Sequence, residues 1–352
     1  MKVVVDAVGV RPGSAAIVVG NLVRGWTLAA PADELVVVSD GPPDFPVPAG
    51  VDVDVIGPRD ASVLARLRMR SLGVRRACRR HGADVAVSGV TASAFLGTGC
   101  PSGAIVYDLR HELRPAQFSR LRRLSRRLLY GWTFRRADAL LCISERTRGD
   151  LVARRPRLRA KSRAALLGAD HAAAWRPGAV AGTYVLAFGH FANKNVEGVL
   201  SAWQLAAPEH PHLTLRICGL GGAGRASASA LVDALGLSGR VELLPWLTDA
   251  EFESVFAGAR CVLFPSDFEG FGLPAVQAML LGVPVVVSTD PALAEVTAGH
   301  AVVAPDERPE TLAKAIDEAL GLDEARLAAA RAHAATFTWE RTARIVRETL
   351  VA

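Results

Sequence analysis

The chain has 352 residues, half of them apolar, which is enough for two domains that each have a hydrophobic core. Its formal charge of +6 is unevenly divided, since residues 1–175 contain 28 Lys and Arg against 15 Asp and Glu, and residues 176–352 contain 13 against 20. No apolar run approaches the roughly 18 residues of a membrane-spanning helix, and no cysteines have metal-ligand spacing, so we expect neither a membrane-spanning protein nor a metal centre.

The cysteines and the N-terminus indicate the compartment. The five cysteines are odd in number and mostly lie inside apolar runs, which is typical of buried thiols in a reducing environment. The N-terminus is already a strand-like run, without the length or cleavage site of a signal peptide. We therefore expect a cytoplasmic protein, soluble or peripheral at the inner face of a membrane.

Short Val, Ile and Leu runs alternate with longer helical stretches in both halves of the chain. This alternation predicts an α/β fold in which helices cover both faces of parallel sheets. Beyond about residue 310 the pattern is helical to the end. The predicted strands are 2–5, 34–39, 51–56, 84–88, 104–107 and 139–143 in the first half, and 183–188, 213–218, 240–244, 261–264 and 284–287 in the second.

A segment rich in glycine and alanine around residues 168–182 indicates a linker between the two halves. We therefore predict two Rossmann-like doubly wound domains, residues 1–172 and 173–333, followed by a C-terminal helix over residues 334–352. Ligands of such domains bind at the carboxyl ends of the strands.

Arginines are concentrated in two stretches of the first half, residues 66–80 and 120–136. One interpretation is a solvated helical face, and the other is contact with an anionic membrane surface. We do not expect a nucleic acid partner, because few aromatic residues are interleaved with these arginines and no binding motif is present.

The turn after strand 261–264 has the composition of an anion-binding site. It contains Glu269, then Gly270 and Gly272, which let the backbone approach a ligand closely, and then Pro274, which suits the first turn of a helix. The free N–H groups and the dipole of a helix N-terminus favour a phosphate. A helix that starts at this turn would therefore hold an anionic ligand.

This stretch resembles the donor-site signature of the retaining glycosyltransferases of family 4, which has two glutamates separated by seven residues. Glu269 occupies the first position, and Gln277 occupies the second. The resemblance implies a GT-B fold, in which two Rossmann-like domains face each other across a cleft. The first domain would bind an acceptor, and the second would bind a nucleotide sugar. Residues 337–343 resemble the start of the family's last helix, which would cross back onto the first domain.

The segment after strand 183–188 is similar to the family segment that clamps the donor diphosphate. The resemblance places Lys194 on the family's lysine, His190 nearest to the family's arginine, and Asn193 beside them. A cation is needed there because negative charge develops on the leaving diphosphate. The alternative is that Lys194 and Asn195 only open a surface helix.

The resemblance assigns the rest of the donor site to the turn and its neighbours. Glu269 would accept hydrogen bonds from the sugar, and Gln277 would meet the ribose. Two explanations are open for a glutamine where the family has a glutamate. The pentose of the donor nucleotide could have fewer hydroxyls, as in a deoxythymidine diphosphate sugar, or the position could simply tolerate glutamine. Leu247 would border the base, while Trp246 could cap the core. The diphosphate would lie along the backbone of Gly270, Phe271, Gly272 and Leu273.

Candidates in the first half follow two of its strands. Gly13 and Ser14 match positions where related enzymes bring their backbone near the donor phosphates, although a plain strand-to-helix turn is the alternative. Tyr107 and Asp108 resemble the family's His-Asp strand end, and His111 follows as a second acceptor-side candidate. A helix cap or a loop hydrogen bond for Asp108 and a surface position for His111 are the alternatives.

The expected reaction is metal-independent transfer of a hexose or deoxyhexose, with a nucleoside diphosphate sugar as co-substrate and no cofactor. The catalytic candidates are Lys194, Glu269 and Asp108, with Lys194 stabilising the leaving group and Glu269 orienting the sugar. The acceptor could be a lipid-linked glycan, a polysaccharide or a natural product. A sugar-nucleotide epimerase and a weakly active GT-B partner of another transferase are the alternatives.

Overall fold

The computed structural model describes residues 1–92, 96–190 and 192–352 of the chain. These residues form two compact units. The first consists of Met1–Gly168 together with Thr338–Ala352, and the second of Ala169–Phe337. The unit boundaries lie a few residues from the predicted domain boundaries.

The first unit is built on a parallel sheet whose order, within the described residues, is β3-β2-β1-β4-β5-β6-β7. Its central strands are near-continuous apolar runs because a parallel sheet is buried on both faces. The strands are β1 (Lys2–Asp6), β2 (Glu34–Ser39), β3 (Asp52–Val55), β4 (Val85–Ser88), β5 (Ser102–Val106), β6 (Ala139–Cys142) and β7 (Ser162–Ala164). The first six confirm the predicted strands with small shifts at their ends, and β7 is additional.

The helices of the first unit differ in how much of their surface they bury. In α1, eight residues are buried, whereas none of the residues of α2 is buried. A π-helical segment, Met69–Gly73, joins α2 to α3. These helices are α1 (Ser14–Ala29), α2 (Val63–Arg68), α3 (Val74–His81), α4 (Arg110–Leu113), α5 (Arg120–Arg136) and α6 (Glu145–Arg154), with 3-10 turns at Pro115–Gln117 and Pro156–Lys161.

The second unit has its own parallel sheet, ordered β10-β9-β8-β11-β12-β13 within the described residues. Its strands are β8 (Tyr184–Phe188), β9 (Thr214–Cys218), β10 (Val241–Leu243), β11 (Cys261–Phe264), β12 (Val285–Val287) and β13 (Val302–Val303). The five predicted strands are confirmed, and the short edge strand β13 is additional. Its helices are α7 (Val196–Ala206), α8 (Gly222–Ala234), α9 (Asp249–Ala257), α10 (Leu273–Leu280), α11 (Pro291–Thr297), α12 (Pro309–Leu320) and α13 (Glu324–Ala334).

The C-terminal helix α14 (Trp339–Val351) belongs to the first unit and packs on α1. Gly25 of α1 permits this approach, because a Cβ there would lie 2.2 Å from the carbonyl oxygen of Trp339. Arg347 Nε donates a hydrogen bond of 2.6 Å to Asp33 Oδ2. The last helix thus completes the core of the first unit, as the resemblance implied. None of the described helices combines the length and apolar composition needed to cross a bilayer.

Strand order fixes where each sheet can bind a ligand. In the second unit β8 lies between β9 and β11, so the direction of strand addition reverses between β8 and β11. Ligands of open α/β sheets bind outside the carboxyl ends of the strands at such a reversal. The segments that follow Phe188 of β8 and Phe264 of β11 therefore form the expected ligand site of this unit.

Candidate functional site

The side chains predicted to bind a donor meet at the reversal point of the second sheet. Asn193 and Lys194 lie in a 3-10 turn, Ala192–Lys194, that follows β8. Glu269 lies in the loop that follows β11, and Asp267 N donates to Asn193 O across the two loops at 3.1 Å. Two segments that are far apart in sequence thus form one cluster because their strands are neighbours in the sheet.

Lys194 and Glu269 are the centre of this cluster. Lys194 Nζ donates to Glu269 Oε1 at 2.6 Å, and the lysine side chain is 6% exposed against 16% for the glutamate. The same Nζ lies 4.1 Å from the centre of the Phe264 ring, where the ring's negative face stabilises a cation. The ammonium group is therefore desolvated and held by two partners in one position.

Asn193 and Ser266 fix the orientation of the Glu269 carboxylate. Asn193 Nδ2 lies 3.1 Å from Glu269 Oε1, and Ser266 Oγ lies 2.5 Å from the same oxygen. Asn193 Nδ2 also donates to Phe268 O at 2.9 Å. Among the described residues, every hydrogen bond to this carboxylate is made to Oε1, so Oε2 retains its capacity to accept hydrogen bonds from a ligand.

The turn between Glu269 and α10 has a backbone conformation that requires glycine. Gly272, immediately before α10, has φ of 98°, and a Cβ there would lie 2.4 Å from Leu293 Cδ2. Within the described ranges, the backbone N–H groups of Phe271, Gly272 and Leu273 donate no hydrogen bond. Three consecutive N–H groups at a helix N-terminus can together bind one phosphate group.

Gln277 lies in the second turn of α10 and is almost completely buried, with 3% exposed. Its Nε2 lies 2.9 Å from His171 Nε2 in the 3-10 turn Asp170–Ala174, so the amide donates and the ring nitrogen accepts. The His171 ring in turn packs edge-on against Trp175, with 5.7 Å between ring centres. Gln277 is thus oriented by a histidine that the sequence did not nominate.

The remaining donor-side candidates lie at the surface of the second unit. His190 is exposed, and Gly219 lies beside it, since a Cβ on Gly219 would be 3.1 Å from His190 Cβ. Leu247 is half-buried in the loop before α9. Trp246 is 80% exposed, so the idea that it caps the core is wrong. Its ring instead offers an unburied aromatic face.

The candidates of the first unit are largely engaged in contacts within that unit. Gly13 is exposed, precedes α1 with φ of 116° and leaves open space around its Cα, and Ser14 begins the helix. Tyr107 Oη donates to Gly89 O at 2.8 Å, and burial raises the pKa of this hydroxyl. Asp108 Oδ1 accepts from the N–H of Arg110 at 2.8 Å, a hydrogen bond in the loop before α4, whose N-cap is Leu109. This is the loop hydrogen bond that was one alternative for Asp108.

His111 is completely buried in α4, so the surface position considered for it is wrong. Its ring packs edge-on against Tyr130, with 4.9 Å between ring centres, and burial lowers its pKa. Neither ring nitrogen has a hydrogen-bond partner among the described residues. His111 is therefore a core residue of the first unit, and its Nε2 lies 3.6 Å from Glu112 Oε1.

Two residues that contact the candidate side chains, Ser266 and His171, could hardly be predicted from the sequence. Ser266 precedes Glu269 by three residues, and a serine in a loop is common. His171 lies in the linker, 106 residues before the Gln277 side chain that it contacts. In the described part of the chain, no group of three or more His, Cys, Asp or Glu side chains could hold a metal ion.

The strand order of the two sheets and the folds of known proteins define the structural class, which is the GT-B fold of glycosyltransferases. Sucrose-phosphate synthase from Thermosynechococcus elongatus superposes with a TM-score of 0.78 and 18% identity, over 99% of this chain and 97% of that one. The Anabaena protein Alr3699/HepE in complex with UDP-glucose superposes with a TM-score of 0.76 and 17% identity, over 100% and 99%.

The second unit also matches a family in sequence. Residues 181–335 match the family of glycosyl transferases group 1, so the cluster around Lys194 and Glu269 lies inside a domain of that type. The O-antigen chain mannosyltransferase B of Escherichia coli is 34% identical over 151 residues, which is 42% of this chain. The match spans 40% of that relative's own length.

Proposed function

We propose that the protein is a retaining glycosyltransferase that moves a hexose or deoxyhexose from a nucleoside diphosphate sugar to an acceptor without a metal. The observation that carries this proposal is that the loops after two neighbouring strands supply both a buried ammonium group, that of Lys194, and three consecutive backbone N–H groups with no partner among the described residues. These groups lie at the ligand-binding edge of a group 1 domain.

The leaving diphosphate is the part of the substrate that needs most stabilisation. Its negative charge grows as the glycosidic bond breaks, and a desolvated cation with fixed N–H donors stabilises that charge without reorganisation. In our proposal Lys194 supplies the cation, and the N–H groups of Phe271, Gly272 and Leu273 supply the donors. Gly270 lets the loop approach the phosphates, and His190, exposed at the end of β8, provides a second donor.

Glu269 orients the transferred sugar in this proposal. Its Oε1 is occupied by Lys194, Asn193 and Ser266, so Oε2 is the atom that accepts hydrogen bonds from sugar hydroxyls. The carboxylate is held too firmly to act as a nucleophile that must swing toward the anomeric carbon. We therefore propose front-face transfer with retention, in which the leaving diphosphate itself takes the proton of the acceptor.

Four further residues are assigned to other parts of the donor. Gln277 would meet the ribose through its carbonyl oxygen, since its amide N–H donates to His171. Leu247 would border the base. Gly13 and Ser14 remain proposed donor-phosphate residues, because their backbone is exposed at the start of α1.

The acceptor is proposed to bind at the first unit, as the family resemblance implies. Tyr107, Asp108 and His111 are weaker acceptor candidates than the sequence suggested. The Tyr107 hydroxyl and Asp108 Oδ1 each form a hydrogen bond within the first unit, and the His111 ring is buried in its core. Asp108 is best assigned to the geometry of the loop before α4. We propose a cytoplasmic location, which agrees with the presence of five free cysteines, four of them buried.

A thermal-shift screen identifies the donor. We expect one of UDP, GDP, ADP or dTDP, or its sugar conjugate, to raise the unfolding temperature of the second unit, because a ligand that binds only the folded state stabilises it. Donor hydrolysis or transfer by the purified protein then separates an enzyme from a non-catalytic partner of another transferase. A protein that is stabilised by no nucleotide and hydrolyses none would contradict the proposal.

A further inference from the structure

Helix α5 exposes a row of large apolar side chains. They follow one another at intervals of three, four and four residues, which places them within roughly 80° around the helix axis. The buried residues of this helix, Thr133 and Phe134, lie on the opposite side. The row, here called the apolar stripe, consists of Leu121, Leu124, Leu128 and Trp132, which are 78%, 55%, 65% and 42% exposed.

The apolar stripe is bordered by positive charge. Helix α5 contains seven arginines and no Asp or Glu. At 3.6 residues per turn, Arg120 and Arg127 lie on one side of the stripe, and Arg122 and Arg136 lie on the other. The Arg136 guanidinium stacks on Trp132 of the stripe, 5.6 Å from its ring centre. The guanidinium groups of Arg122 and Arg126 stack on Phe118, at 5.7 and 5.0 Å from its ring centre. The outward face of α5 is therefore apolar along its middle and cationic along both edges.

The other arginine-rich stretch differs from α5. Arg70 Nε donates to Val8 O, and Arg75 donates to Leu96 O at 3.0 Å. Arg80 forms an ion pair with Asp54. Much of the charge in residues 66–80 is thus used within the first unit. Helix α2 also exposes two apolar side chains, Val63 and Leu64, beside its arginines, but α5 exposes four of them in one row together with seven arginines.

We propose that the apolar stripe of α5 and its flanking arginines dock the protein on a bilayer that contains anionic phospholipids. The arginines would contact headgroup phosphates, while the leucines and Trp132 would enter the boundary between headgroups and acyl chains. A bilayer with anionic headgroups complements the positive charge of this surface. A protein partner of average composition has no comparable excess of negative charge.

A second copy of the chain fits this surface poorly. Two α5 helices that met through their stripes would bring seven arginines against seven others with no acid in either helix. Juxtaposed like charges oppose association. A lipid surface instead offers both a negative headgroup layer and an apolar layer, which are the two chemistries that α5 presents. The docking surface lies in the first unit and does not depend on the donor chemistry of the second.

Co-sedimentation of the full chain with vesicles tests the proposal. Vesicles of phosphatidylcholine with roughly one third phosphatidylglycerol should retain the wild type, and vesicles of phosphatidylcholine alone should bind it at least about tenfold more weakly. Raising the salt concentration should release the protein, because the headgroup contacts are screened. The double variant Leu124→Glu/Leu128→Glu should bind the anionic vesicles about tenfold more weakly or worse.

Matched controls separate the stripe from general surface effects. Leu205→Glu changes a leucine of α7 that is 47% exposed, and it should bind vesicles like the wild type. Arg120→Gln/Arg127→Gln removes two flanking charges without touching the stripe, and it should weaken binding to anionic vesicles several-fold. Equal binding to both vesicle types, or equal losses in Leu205→Glu and the double variant, would overturn the proposal. So would a dimer that depends on the stripe in a protein that binds no vesicles.

Discussion

Lys194 and Glu269 form an ion pair in which the lysine is the more deeply buried partner, 6% exposed against 16%. Removal of the carboxylate would leave a desolvated ammonium whose remaining partner among the described residues is the Phe264 ring, 4.1 Å away. Removal of the ammonium would leave a carboxylate that keeps Asn193 and Ser266 as hydrogen-bond partners. The two halves of the pair are therefore not equivalent for stability.

The first prediction follows from this asymmetry. Glu269→Ala should destabilise the second unit by about 3 kcal/mol, because it leaves a buried charge unpaired, whereas Lys194→Met should cost about 1 kcal/mol. The double variant should be more stable than Glu269→Ala alone. Urea unfolding of all three proteins measures these differences. Equal losses in the two single variants would mean that the ion pair is effectively solvent-exposed.

Gly272→Ala is expected to destabilise the second unit by about 2 kcal/mol or more. The new Cβ would meet Leu293 Cδ2 at 2.4 Å, and alanine would have to adopt φ of 98°. Gly221→Ala is the matched control, because Gly221 also precedes a helix but has φ of −72° and open space around it. Thermal unfolding of both variants tests the requirement. Similar unfolding temperatures for the two would show that the turn before α10 adapts to a side chain.

Gln277→Glu should tighten binding of a ribonucleoside diphosphate by roughly fivefold, since a charge-assisted hydrogen bond is worth an extra ~1 kcal/mol. The gain should shrink for the matching 2′-deoxynucleotide, which has one hydroxyl fewer to donate. Isothermal titration of wild type and variant with UDP and dUDP measures both affinities. A gain of the same size for both nucleotides would place the ribose away from residue 277.

Asp33 should contribute to the acid stability of the first unit. Burial opposes its ionisation, but hydrogen bonds from Arg347 and Trp26 outweigh burial and lower its pKa to about 2 from the usual 3.8. A carboxylate with a lowered pKa stabilises the fold above its unfolded pKa and loses that contribution as pH falls through its folded pKa. Asp33→Asn should therefore cost about 1 to 2 kcal/mol at neutral pH. The difference from wild type in urea unfolding should be constant down to about pH 4 and shrink below it; a difference that grows on acidification would contradict this account.

The fold was predictable because its signal is local. Buried parallel strands are short apolar runs, and β1 and β11 could be recognised from their valines and leucines alone. The exceptions were β7 and β13, whose few residues give no periodicity and which form because a neighbouring strand offers an unpaired edge. Edge strands of this length are set by the sheet rather than by their own sequence.

Candidate site residues could be nominated from the sequence where the loop chemistry is distinctive. A glycine-rich turn with an acid and a helix-starting proline indicated Glu269, and the resemblance of the segment after β8 to the family's diphosphate clamp indicated Lys194. The structure brings these two side chains into contact. The contact between His171 and Gln277 was not predictable, because it joins the linker to a helix across 106 residues. The buried position of His111 was missed because α4 is too short to show which of its faces is apolar.

Turnover of a nucleotide sugar by variants of Lys194 tests the central claim most directly. With the donor found by thermal shift, wild type and Lys314→Ala, a change of an exposed lysine in the same unit, should release nucleoside diphosphate at equal rates and without added metal. Lys194→Ala should lower kcat by roughly 10²- to 10³-fold while the protein remains folded. Wild-type turnover in folded Lys194→Ala would contradict the assignment of this lysine to the leaving group, and with it the proposed donor site.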